Sequence, residues 1–261
     1  MFQPAEEGGG GAARMIDEGV LSGPDVDAAF MLHVWPELAA GTVSCGPGPQ
    51  LAGADGFTIT VRGRGGHAAQ PDETVDPVVV GAQIVMAMQT LVSREVKPTV
   101  PAVVTFGAFN AGTVSNVIPD SAVLKGTIRS FDNDLFLHLE ERVREVASGV
   151  AAALRARVDI EFEMSYPPMV CDSRMAEQLA ASARSLIGAE SVMPAEPVMG
   201  AEDFAFVLQK VPGAALWLGV KHPDWSEPKP VHTATFDIDE SALPIGSSAL
   251  AGVALDYLKR P

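Results

Sequence analysis

The stretch LFLHLEERVREVASGVAAALRARVDIEFEM, residues 135–164, changes its hydrophobic period partway along, and that change decides the fold. Leu135, Leu139, Val143, Val146, Val150 and Leu154 recur every three or four residues, which predicts an amphipathic helix. Val158, Ile160, Phe162 and Met164 then alternate strictly with polar residues, which predicts a half-exposed strand. Upstream, Ala122 to Arg129 and Val103 to Phe106 read as two more strands. Residues 76–95 read as a helix with Ile84, Met88 and Leu91 on one face, and Phe57, Ile59 and Val61 mark a first strand. The order βαββαβ predicts a ferredoxin-like α+β domain, an antiparallel sheet with two helices on one face.

The flanks carry a different pattern. Ala12 to Glu18 is a short helical run stopped at Gly19. Ala28 to Leu32 is an apolar strand ending on His33, and its two apolar faces predict a place in the middle of a covered sheet. Gly46 to Pro49 marks a boundary. Beyond Pro168, Ser173 suits the N-cap of a helix bearing Met175, Leu179, Ala183 and Ile187. Leu216 to Val220 reads as a buried strand, and residues 240–259 as a closing helix. The simplest architecture is an α/β domain, residues 1–51 and 169–261, interrupted by the α+β domain of residues 52–168.

With 261 residues, 47% of them hydrophobic, the chain can bury a sizeable core. A formal net charge of −15 argues against nucleic acid and anionic membrane surfaces as partners. Cys45 and Cys171 stand far apart, outside any CxxC spacing, which fits a reducing cytoplasm better than a disulfide framework. The apolar stretches read as much shorter than the roughly 18 residues of a membrane span.

Glu6 and Glu7 precede four glycines, Gly8 to Gly11. On a turn entering a helix, one carboxylate can ligate a metal while its neighbour faces the substrate water, the two parts a hydrolytic metal site needs. An acidic turn facing solvent is the plain alternative. A phosphate loop is weakly signalled, because no Gly-Lys-Ser/Thr follows. His33 at a strand end and His232 before the last helix are ordinary singly, but with a glutamate they form a partial ligand set for zinc or a similar ion. His67 sits in the turn Gly63-Arg64-Gly65-Gly66-His67, where an imidazole can donate to an oxyanion. Asn116 and Arg129 lie near strand ends, and Arg129 suits a carboxylate, or else is an exposed strand arginine. His138 and His222 read as surface or structural.

Seven stretches together resemble the zinc-type aminoacylase and carboxypeptidase amidohydrolases, in the branch of N-acyl-amino-acid, hippurate and auxin-conjugate hydrolases. They are FQPAEEGGGGA (2–12), LHVWPELAAGTV (32–43), GRGGHAAQPDETVDP (63–77), SNVIPD (115–120), GTIRSFD (126–132), GAEDFAF (200–206) and VHTATFDIDE (231–240). The resemblance implies a metallopeptidase-like α/β catalytic domain with an inserted lid and dimerisation domain, hence a homodimer. It implies Glu6 as general acid/base, Glu7, His33 and His232 as metal ligands, and His67 as oxyanion donor, reaching in family dimers toward the partner's site. Asn116 and Arg129 would contact the substrate, and Glu202 and Asp203 would support the metal cleft. The substrate implied is an N-acyl amino acid, and the cofactor a pair of divalent ions (zinc, manganese, cobalt or nickel).

Relatives in this branch carry a His-Ala-Cys-Gly-His-Asp segment upstream of the paired glutamates, whose Cys and second His complete the two-metal site. The residues from Met1 onward are therefore expected to hold only part of the ligand set and to expose apolar surface beside the strand at His33. The rival expectation is a catalytically incompetent module for dimerisation or small-molecule binding.

Overall fold

A computed structural model describes residues 1–163 and 165–259. In chain order, helix α1 (Gly11–Asp17) precedes strands β1 (Ala29–Ala39), β2 (Val43–Cys45) and β3 (Gly48–Leu51). Then come β4 (Gly53–Arg62), β5 (Gly66–His67), α2 (Pro77–Thr90), β6 (Ala102–Ala111), β7 (Val117–Ile118), β8 (Ser121–Ser130), α3 (Asn133–Ala153) and β9 (Arg157–Phe162). The chain closes with β10 (Met169–Cys171), α4 (Ser173–Ile187), β11 (Val192–Pro194), α5 (Phe204–Leu208), β12 (Gly213–Lys221) and α6 (Leu243–Leu258). Two compact units result: Met1–Leu51 with Met169–Val198 and Glu202–Pro261, and Ala52–Pro168 with Met199–Ala201.

The second unit is a four-stranded sheet in the order β6-β8-β4-β9, antiparallel throughout. The two inner strands are the first and third of the four, which is the ferredoxin-like arrangement. The buried and half-buried residues of β4 alternate along the strand, burying Phe57, Ile59 and Val61. Helix α3 lays Phe136, Leu139, Val143, Ala147 and Ala151 into the same core as Ile84 and Met88 of α2. Each fully buried Leu, Val or Phe there contributes roughly 1.5–3 kcal/mol. Asp132 starts α3 by accepting the Leu135 N–H at 2.8 Å. Of the alternating residues that predict β9, Met164 lies outside the described residues. With the π turn that continues it, α2 forms a 19-residue apolar helix, Pro77–Glu95, long enough by composition to cross a membrane. This corrects the expectation that apolar stretches fall well short of that length. Val80, Ile84, Met88 and Leu91 bury one side of it in the unit's core.

The first unit is built on a mixed sheet in the order β1-β12-β2-β11. Strand β12 is buried along almost its whole length, as Leu216 to Val220 predict. Strand β1 departs from expectation twice. It runs past His33 to Ala39, because its parallel pairing with β12 continues through Trp35↔Gly219 to Ala39↔Lys221. It also lies at the edge of the described sheet, and its residues are mostly half-buried. The N-cap of α4 is Asp172, one residue before the expected Ser173, and its carboxylate accepts from Arg174 and Met175.

Candidate metal and acid–base site

The site is assembled at one end of the first unit by a buried carboxylate. Asp203 is fully buried and accepts from the Ala12 N–H at 3.0 Å and from Gln3 Nε2 at 2.5 Å. It thereby pins both sides of the loop carrying Glu6 and Glu7. The glycine run makes this loop possible. Gly10 adopts a left-handed φ of 54°, and a Cβ on Gly11 would stand 1.8 Å from the Pro4 carbonyl oxygen. Neither Gln3 nor the buried role of Asp203 shows in the sequence, because the partners are 200 residues apart and neither residue type is rare.

Glu7 and His232 converge from the two ends of the chain, with Glu7 Oε2 3.7 Å from His232 Nε2, both well exposed. His232 takes up a left-handed φ of 59°, uncommon for a side chain of its kind. His33 meets the rings of Trp35 and Trp217 at 6.5 and 6.1 Å, and its Nδ1 lies 2.6 Å from the Val34 carbonyl. That contact assigns the proton to Nδ1 and leaves Nε2 with a free lone pair. Among the described residues, no group of three or more His, Cys, Asp or Glu side chains is arranged to hold a metal ion. Of the expected ligands, the structure thus brings Glu7 and His232 together as a pair, with His33 in the same unit.

The electrostatics centre on Glu6. Partial burial, then repulsion from Glu7 and Asp203, raise its carboxyl above the ordinary range, while His33 and His232 pull the other way. Glu202 is pushed up to about 7, first by burial and then by Glu6. Carboxylates crowded this closely carry negative charge that a bound cation would neutralise. Oxygen and imidazole nitrogen donors suit zinc, manganese and their neighbours. The residues present therefore fit a divalent ion held in part by Glu7 and His232.

The remaining predicted residues lie in the second unit. His67 pairs with Val117 on the β5–β7 ladder, and the Asn116 carbonyl accepts the Ala68 N–H at 3.1 Å, so His67 and Asn116 sit side by side. His67 Nδ1 accepts from the Ala69 N–H at 3.0 Å, which leaves Nε2 as the exposed donor. Arg129 stands apart on β8, opposite Ala54 and Val103. Burial lowers its pKa.

This fold is shared by a known group. The chain belongs to Peptidase family M20/M25/M40, whose profile matches residues 1–256. It is 37% identical to the IAA-amino acid hydrolase ILR1-like 4 of Arabidopsis thaliana, over 99% of this chain and 59% of that protein. It is 36% identical to the N-acetyl-L-cysteine deacetylase of Bacillus subtilis (strain 168), over 93% of this chain and 56% of the relative. Among solved structures, the Bacillus subtilis YXEP protein, a dinuclear metal-binding peptidase of the same family, superposes with a TM-score of 0.79 at 31% identity. All of this chain and 65% of that one are covered. The chain spans about 60% of the length of the curated relatives it matches.

Proposed function

We propose that these residues form the acid–base and part of the metal-binding half of an amidohydrolase that cleaves N-acyl amino acids. The observation that carries the reading is the gathering of Glu6, Glu7, His33, His232, Glu202 and Asp203 in one unit, with the Glu6 carboxyl raised by its own burial and by the charges of Glu7 and Asp203 against the pull of the two histidines. The names of the N-acetyl-L-cysteine deacetylase and IAA-amino acid hydrolase relatives support the substrate class. A divalent ion in such a site supplies Lewis acidity and brings the pKa of water toward neutrality. Glu7 and His232 would hold it, with His33 Nε2 as a third donor. Glu6 takes the proton of the attacking water on a carboxylate oxygen and returns it to the departing amine nitrogen. Its raised pKa suits both transfers. In the second unit, His67 Nε2–H is an exposed donor of the kind that suits an oxyanion, and Arg129, half-buried on β8, is a cation of the kind that suits a substrate carboxylate.

A cleft of about 300 Å³ opens in the first unit, lined mainly by Trp35, Leu38, Met193, Val198 and Trp217 with Ser44 and Glu196 among them, and its two tryptophans are those that touch the His33 ring. Its lining suits an apolar or aromatic group of the substrate. Dimerisation through the second unit is part of the same reading. Val79 and Met86 of α2 and Phe109 of the edge strand β6 are exposed at 53%, 67% and 40%, an apolar surface a second copy can cover.

The test is metal content and amino-acid release from N-acetyl and N-benzoyl amino acids, measured on the protein with and without added divalent metal. Bound divalent metal, with turnover abolished by chelation and restored by zinc or manganese, is the expected result. Metal-free turnover, or none from the metal-loaded protein, would reject it.

A further inference from the structure

His232 holds a backbone conformation that L side chains enter at some cost, so something around it must impose the turn. The flanking residues show what does. Lys229 Nζ lies 2.6 Å from Asp237 Oδ2, closing a nine-residue loop, residues 229–237, that carries His232. The same ammonium sits over the Trp225 ring at 4.0 Å from its centroid, and Trp225 in turn meets the His222 ring at 5.8 Å. Inside the loop, the Thr233 hydroxyl donates to the Pro230 carbonyl at 2.8 Å and the Phe236 N–H to the Thr233 carbonyl at 3.2 Å. Beyond it, the Asp239 N–H donates to the Val220 carbonyl at 2.8 Å and ties the exit to β12.

We propose that Lys229, seated on Trp225 and paired with Asp237, is a positioning residue: a latch that holds the His232 turn so that its imidazole faces Glu7. The role of His232 as a ligand rests on the function proposed above; the latch itself rests on geometry alone. An exposed ion pair adds little to global stability. Its effect is local, because it closes a short loop around a conformation the backbone disfavours. Lys229 and Asp237 pull on each other strongly enough to keep the Asp237 carboxyl below its usual range. Orienting contacts of this kind around a ligand typically change metal affinity by 10–100-fold.

The experiment compares the parent chain with Lys229→Met and Lys229→Arg, because arginine can keep both the ion pair and the stacking. Hydrogen exchange at the Phe236 amide, without metal, reads the turn directly. Zinc titration reads its consequence, and a thermal melt reads the whole fold. In Lys229→Met, Phe236 exchange is expected to quicken by about fivefold and zinc affinity to fall by about tenfold, with an unchanged melt. Lys229→Arg should restore both. Phe236 exchange at the parental rate overturns the latch, as does faster exchange throughout with a lowered melt. A looser turn with undiminished zinc affinity overturns the positioning role. A parent that binds no zinc defeats the ligand assignment of His232, and the exchange measurement then decides the latch by itself.

Discussion

Asp203 is the residue on which the site's construction turns, since a single buried carboxylate receives donors from Gln3 and from the start of α1. Asp203→Asn keeps the shape but offers one acceptor where two donors arrive. The expected cost is about 1–3 kcal/mol of unfolding free energy, with faster exchange at the Ala12 amide; an unchanged denaturation midpoint would contradict it. Asp55 in the second unit is a different case. It is buried, and its Oδ1 has no hydrogen-bond partner among the described residues. Burial, then the hydrogen bond and charge of Glu140, push it from 3.8 up to about 7. A folded pKa above the unfolded one means that the folded state binds the proton more tightly. Stability is therefore present below the unfolded value and is lost as pH climbs through about 7. Denaturation at about pH 5 and about pH 8 should show the parent losing on the order of 2–4 kcal/mol. Asp55→Asn should make that slope shallower, leaving the share that Glu202 contributes, and parallel slopes would refute the assignment. At this scale the meeting of Glu7 with His232 is anticipated in the sequence because motifs frame both residues. Gln3 is not, since a glutamine reveals nothing until its distant partner is placed.

Among the elements, those with a clear period were readable and those defined by their neighbours were not. The apolar spacing of α3 and the alternation of β4 follow from one face meeting a core, and local sequence records that. Strand β1 looked central because apolar composition cannot count the neighbours a strand has; its register with β12, not its own residues, carries it past His33. The α4 cap was missed by one residue because aspartate and serine are comparable caps and stand adjacent at 172 and 173. The distinction is testable. Asp172→Ala should cost about 1 kcal/mol, whereas Ser173→Ala should cost almost nothing, both read from denaturant midpoints. Equal effects would return the cap to Ser173.

For the whole molecule, the βαββαβ order was legible because each of its elements has its own period. The pairing of residues 1–51 with 169 onward was read from the change of pattern at each end of the inserted stretch. The apolar face of α2 and the open edge of β6 lead to an expected association through the second unit. Light scattering should give twice the chain mass for the parent. Met86→Glu combined with Val79→Glu should give the single-chain mass without loss of the thermal transition. A monomeric parent would contradict the dimer.

The central claim, that Glu6 moves the proton in a metal-dependent amide cleavage, is tested most directly by one comparison. Turnover of an N-acyl amino acid is measured for the metal-loaded protein and for its Glu6→Gln variant, with bound metal quantified in both. The account predicts equal metal content and a rate at least about 10²–10⁴-fold lower in Glu6→Gln. A variant that holds the same metal and turns over at the parental rate would contradict it.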